Sequence, residues 1–413
     1  MMHAPFAYLG PGSGFAFLGS FLTVLLSLAA SFLSLLLWPF RMLWGMVRRG
    51  RTMRRSHVRR LIFLDVDGLD PDAVERLMAE GSLPNLAQLK DQGSYRRLRA
   101  SSSTTCSTTL PAPFWKILKR NAVDSTILRV PGSPAADGFD GRQLFAASEL
   151  HGISEGFSLF TKKTRRGVFE GGKRCPLVEL DGVLLGELQA RDKPVLFRVI
   201  DAEGDASLEV DGEIYSLKPH EFTPWIRLKF GAVRGIVRFL LTSAGPEFSL
   251  YATAVQIDPE KPVQPISQPR YYANYLAKLL GTFSSGDMAE ASFALKAGVI
   301  DDEDFLALAK LRLNEQEAIF FSALEHQRSG VLACAFETPE RMYGDLDRLI
   351  GRTLELADRE TAVFALASSG ALFSNRKLAV EMPAIEDMAP TALQLFGIQP
   401  PEWMEGKSVI SVA

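Results

Sequence analysis

Between Ala4 and Phe40 the chain carries no charged residue, and Phe15–Trp38 is apolar almost throughout. About 20 apolar residues cross the hydrocarbon of a bilayer as helix at ~1.5 Å each, so this run suffices for one tilted crossing and is tight for two. A cleavable signal peptide needs a basic start and a small-residue cleavage site, but the chain opens Met-Met-His-Ala-Pro-Phe. The run is followed by Arg41, Arg48, Arg49, Arg51, Arg54, Arg55, Arg59 and Arg60, with no Lys, Asp or Glu before residue 61. Basic residues beside a span stay on the cytoplasmic side. The reading is a single-pass anchor with the N-terminus outside and everything after Arg41 in the cytoplasm. The cluster sets topology and is also placed to touch anionic lipid headgroups.

The formal charge of −2 hides a division. Eight of the 46 Lys and Arg lie in residues 1–60, against 48 Asp and Glu that all lie beyond, so the remaining chain carries a net −10. An acidic body excludes a nucleic-acid partner, because phosphate contacts need clustered Lys and Arg. Cys106, Cys175 and Cys334 are too far apart and too few for a disulfide framework or a paired zinc spacing.

Leu61-Ile62-Phe63-Leu64 is an apolar run ending in Asp65-Val66-Asp67-Gly68. Asp70-Pro71-Asp72 then opens a helix with a capping acid and a first-turn proline. A buried strand feeding a helix begins an α/β sheet, and such sheets bind ligands at the carboxyl ends of their strands, where Asp65 and Asp67 stand. They either cap the next helix or ligate there. The middle alternates with period two over Val195–Ile200, Ser207–Val210, Glu213–Leu217, Trp225–Phe230, Gly235–Leu241 and Phe248–Val255, with Asp211-Gly212 as a hairpin turn. This predicts an inserted antiparallel β module. Helical spacing returns over Arg270–Leu280, Asp301–His326 and Asp387–Phe396, and Val331–Phe336 and Thr361–Ala367 read as buried strands. The expected domains are 1–60 (anchor and Arg-rich flank), 61–189 (first part of the α/β domain), 190–258 (the β module) and 259–413 (second part). Gly10–Gly14 is a turn before the apolar helix, since no strand precedes it and no Lys follows.

"LIFLDVDGLDPDAVERLMAEGSLPNLAQLKDQGSYRRLRA" resembles the opening of bacterial type I phosphodiesterase/nucleotide pyrophosphatase proteins of the alkaline phosphatase superfamily. The likeness continues through "PFWKILKRNAVDSTILRVPGSP", "PEKPVQPISQP", "DLDRLIGRTLE" and "DMAPTALQLFGIQPPEWMEGKSV" and spans nearly all of residues 58–410. The β module is similar to an insert in membrane-linked members. The resemblance implies an alkaline-phosphatase-like α/β sandwich with a mainly parallel sheet, the inserted module and an N-terminal transmembrane helix, in the bacterial inner (plasma) membrane. It also implies a hydrolase site of two divalent metals, about six Asp and His ligands, and a Ser or Thr nucleophile. Two such cations stabilise the attacking and leaving oxygens of phosphoryl transfer.

The family's site positions are depleted here. Asp67 matches the first ligand. Cys106 falls at the nucleophile position by ungapped counting, flanked by Thr105 and Ser107, but several tens of family residues are missing before Phe114. The Cys lacks the Pro and Arg of a sulfatase motif. Ser101–Thr109 reads as a polar loop or a remnant phosphate cradle. Glu337 is the one carboxylate where an Asp-His pair is expected, and Ser368-Ser369 replace the family's next Asp-His. The later chain has only His151, His220 and His326, none after a buried parallel strand. The expectation is a membrane-anchored pseudoenzyme acting as a binding or scaffold protein, with no cofactor, or at most a single weakly bound divalent cation on Asp67 and Glu337. The alternatives are a hydrolase of phosphodiesters or phosphomonoesters working with that reduced site, and a structural subunit of a membrane complex. The expected partners are membrane lipid and a membrane protein, without nucleic acid.

Overall fold

The computed structural model describes residues 21–34, 36–37, 54–99, 114–131, 141–147, 153–154, 156–162, 166–190, 193–202, 205–367 and 370–411, with the backbone alone at Asp67, Asp201, Ala202 and Asp205. The chain divides into two compact units, Met1–Arg55 and Ser56–Ala413. In the first, residues 21–34 are helical, and Phe21, Leu22, Leu25, Leu28, Phe32 and Leu33 are exposed. No helix among the described residues is long and apolar enough to cross a membrane. Much of the expected anchor lies outside them.

The second unit is built on an eight-stranded sheet. In chain order its strands are β1 (Arg60–Asp67), β2 (Ser94–Arg97), β3 (Ser125–Leu128), β4 (Arg142–Leu144), β5 (Ser267–Gln268), β6 (Gly330–Glu337), β7 (Thr361–Ala367) and β8 (Ala371–Ser374). Across the sheet the order is β5-β4-β3-β6-β1-β7-β8-β2. The strands from β4 to β7 are mutually parallel, and β5, β8 and β2 close the edges in antiparallel pairs. β1, β6 and β7 are apolar runs because helices cover both faces of a parallel sheet; Leu61, Leu64, Val331, Leu332, Val363 and Phe364 are all buried.

The helices are α1 (Pro71–Ala79), α2 (Pro84–Gln92), α3 (Phe114–Arg120), α4 (Tyr272–Leu280), α5 (Ala289–Lys296), α6 (Asp302–His326), α7 (Tyr343–Glu355) and α8 (Met388–Leu395). Asp70 caps α1 by accepting from Ala73 N at 3.0 Å. α6 opens on a reciprocal capping box between Asp301 and Asp304, the two-way arrangement that satisfies orphan donors of a helix start. α2 lacks a cap of its own. Asp347 of α7 supplies one, accepting from Asn85 N at 3.1 Å and Leu86 N at 2.8 Å.

Three further sheets lie between Phe157 and Ile257. One is a five-stranded antiparallel meander over Val178–Leu217. Asp211-Gly212 makes its last turn with positive φ at both residues, 49° and 82°, as a type I′ hairpin requires. A second sheet joins Ile226–Phe230, Val233–Val237 and Gln256–Ile257. The third is mixed, because Phe157–Thr161 pairs parallel to Gly172–Pro176. Two features differ from the sequence reading. Strands outside the central sheet begin at Phe157, well before Val195, and two of them, Gly167–Phe169 and Gly172–Pro176, carry glycine or charge in place of an alternating pattern. The expected strand Gly235–Leu241 is divided at Arg238. Its N–H bonds the Thr253 hydroxyl at 3.1 Å, and the side chain turns inward to Thr223 O at 2.7 Å.

Candidate functional site

Asp67 and Glu337 end neighbouring parallel strands and are direct register partners. The two residues singled out from sequence are therefore backbone neighbours at the carboxyl end of the sheet. β7 ends beside them at Ala367; Ser368 and Ser369 lie outside the described residues, as do Thr105, Cys106 and Ser107 with the rest of the Ser/Thr loop. Gly68 follows Asp67 with φ +90°, and a Cβ there would sit 2.9 Å from Thr338 O. The turns leaving β1 and β6 thus touch backbone to backbone. Above them opens a cleft of about 380 Å³ lined by Gly68, Asp287, Met288, Phe305, Glu337 and Thr338, among others.

Behind Glu337 the site is basic. Arg129 follows β3 directly, in a left-handed conformation (φ 57°), and is only 7% exposed. Its Nη2 donates to Ser284 O, and its guanidinium lies 5.8 Å from the Phe283 ring centre. Arg312, on the inner face of α6, is 6% exposed and reaches Glu337 Oε2 at 3.4 Å. Burial pushes the Arg129 guanidinium down to about 10, and the like charge of Arg312 adds to the shift. A third buried arginine, Arg238, pairs with Glu315 Oε1 at 2.9 Å and stacks on Trp225 at 4.6 Å, its Nε left without an acceptor. Glu315 also accepts from Trp225 Nε1 at 2.7 Å and, through its other oxygen, from Ser284 N at 2.7 Å. A small inner cavity between α6 and the β module is lined by Arg238, Arg312, Glu290 and Tyr251, and shares Asp287 and Met288 with the cleft. Burial, then Asp287, raises the Glu290 carboxyl to about 7. The Cys334 thiol on β6 is pushed well up by burial, so it is protonated and unreactive at neutral pH.

The donor set does not fit a binuclear zinc site. Each zinc needs about four N, S or O ligands, several of them anionic or imidazole. Here the described strand ends offer Asp67 and Glu337, and Glu337 already faces a buried guanidinium. The imidazoles are elsewhere. His326 bonds Ser322 O of its own helix at 2.7 Å, and His151 lies outside the described residues. His220 Nδ1 is 3.0 Å from Asp304 Oδ1 and 3.8 Å from Asp301 Oδ2. That trio is, among the described residues, the group with spacing for a metal ion. In the sequence His220 stands only as a histidine away from any buried parallel strand, and nothing there signals this pairing. Both carboxylates are already bonded in the capping box of α6, and a helix N-terminus disfavours a cation.

Sequence reasoning also missed Arg129 and Arg312. The signal was present in each case: an arginine abutting the strand run Ser-Thr-Ile-Leu, and one within the Leu308-Ala309-Leu313 face of a helix. Neither shows its role until β3 and α6 are brought together. Set against known proteins, the chain matches no family model, no curated protein and no solved structure.

Proposed function

We propose that this chain is a membrane-anchored, non-catalytic binding or scaffold protein with the alkaline-phosphatase-like fold of the type I phosphodiesterase/nucleotide pyrophosphatase family. One observation carries the reading. Near the strand ends where that family binds two metal dications, two buried guanidinium groups, Arg129 and Arg312, repel one another beside Glu337, with Asp67 as the backbone register partner of Glu337. A cation close to buried positive charge gains little from two carboxylates, because like charges in a poorly hydrated site repel strongly. Without metals and an activated nucleophile, phosphate ester hydrolysis has no source of rate. The anchor is the apolar segment around residues 21–34. Its Ser27 and Ser31 hydroxyls donate to Val24 O and Ser27 O at 2.8 Å, which removes their need for water within lipid. The arginine flank places residues 56–413 on the cytoplasmic face of a bacterial inner membrane.

The test is hydrolysis of aryl phosphomonoesters and diesters by purified full-length protein with zinc or manganese added. Background rates are expected. Metal-dependent turnover abolished by Asp67→Ala would establish the reduced-site hydrolase instead.

A second reading, a structural subunit of a membrane complex, is favoured by the outer face of the Val178–Leu217 sheet. Leu196 is 73% and Ile214 74% exposed there, with Val178, Leu180 and Ile200 alongside. Co-purification of a stoichiometric partner in mild detergent, lost on Leu196→Glu with Ile214→Glu, distinguishes it.

A further inference from the structure

We propose that the β module carries a binding site for a small organic carboxylate, held by the Arg174 guanidinium and the Thr161 hydroxyl on one face of its mixed sheet. The site shares no lining residue with the strand-end cleft, and it stands whatever that cleft binds.

The sheet register assembles it. Strand Phe157–Thr161 lies between Gly172–Pro176 and Ser249–Ala252. Leu159 is opposite Arg174, and Thr161 is opposite Ser249. Cross-strand partners share a face, as do residues two apart on one strand, so these four side chains stand on the same side. The short helical turn Gly245–Glu247 and Phe248 border that side, and with Lys162 the set lines a cavity of about 360 Å³. That volume lies in the usual range for small-molecule sites.

Two donors there are unmet. Thr161 is 9% exposed, and its Oγ1 is buried without a hydrogen bond. Arg174 Nε is also buried without an acceptor. Among the described residues five other arginines have such an Nε, but each is engaged through the rest of its guanidinium. Arg96 bonds Tyr95 O, Arg129 bonds Ser284 O, Arg238 bonds Thr223 O, Arg376 bonds Arg359 O, and Arg312 pairs with Glu337. Arg174 makes neither a hydrogen bond nor an ion pair among the described residues; its guanidinium lies 5.2 Å from the Phe169 ring centre. The ring steadies the fork and leaves its N–H groups for an acceptor. Buried polar groups are normally hydrogen-bonded, so a hydroxyl and a guanidinium left unmet beside one cavity point to an acceptor that enters it.

Charge selects the ligand. Among the lining residues Lys162 and Arg174 are set against Glu247, one positive charge in excess. A carboxylate brings one negative charge and two coplanar oxygens, which match the guanidinium fork. A phosphate dianion overshoots that charge. Leu159, Pro246 and Phe248 supply an apolar wall for a short carbon chain.

The test is saturation-transfer NMR on the full-length protein in deuterated detergent. The probes are butyrate, butanamide as its uncharged counterpart, and inorganic phosphate as competitor. Butyrate is expected to bind about tenfold more tightly than butanamide and to resist displacement by an equal concentration of phosphate. Arg174→Gln, checked for folding by its thermal melt, should weaken butyrate by about tenfold. Thr161→Val removes a hydroxyl that has no protein partner, so it should fold as well as the parent while weakening butyrate by about fivefold. Absence of butyrate binding, equal binding of butanamide, displacement by phosphate, or affinity unchanged in either variant overturns the proposal.

Discussion

Asp347 and Glu290 show how differently one carboxyl group behaves in two buried settings. Asp347 accepts from Asn85 N, Asn85 Nδ2 and Leu86 N at 3.1, 2.8 and 2.8 Å. It joins α7 to the uncapped start of α2. Removing a charged acceptor leaves those donors orphaned, so Asp347→Ala should lower stability by about 2–3 kcal/mol, read as a lower urea midpoint. Glu290 has no such partners among the described residues, and burial raises it from 4.5 to about 7. A carboxyl with a raised folded-state pKa binds its proton more tightly folded than unfolded. Stability therefore falls as pH rises from 4.5 through 7. The loss should be on the order of 2 kcal/mol, the full linkage value being reduced by the carboxyl's residual solvent contact. Glu290→Gln should flatten that slope in urea melts taken across the range.

At the scale of elements, the site depends on how β1 and β6 end together. Gly68 is required by both its φ of +90° and the approach of Thr338 O. Gly68→Ala should destabilise the protein by about 1–2 kcal/mol, seen as a lower thermal midpoint, and should push the Thr338 turn away from the cleft. β1, β6, β7 and α6 were legible in the sequence for a physical reason. Strands covered on both faces must be continuously apolar, and the acids from Asp301 to Asp304 mark a helix start. Their carboxyl ends made Asp67 and Glu337 legible as well. The strands of Phe157–Pro176 were not, because Gly167–Phe169 and Gly172–Pro176 are half-exposed and carry glycines and charges in place of an alternating pattern. Nor were Arg129 and Arg312, whose meaning lies in an enclosure formed by a strand end, the Ser284 loop and a helix distant in sequence.

At the scale of the whole molecule, charge is divided by position: basic before residue 61 and acidic after it. In the proposed topology a reporter fused after Ala413 should signal a cytoplasmic location, and protease added outside intact cells should leave that end uncut. Removal of residues 1–45 should release the remainder from the membrane fraction. The central claim is that the strand-end site no longer holds the metals its resemblance implies. Its most direct test is the metal content of full-length protein after equilibration with zinc and removal of free ion, measured by plasma mass spectrometry. The account predicts zinc well below stoichiometry and unchanged by Asp67→Ala; stoichiometric zinc that disappears in Asp67→Ala would contradict it.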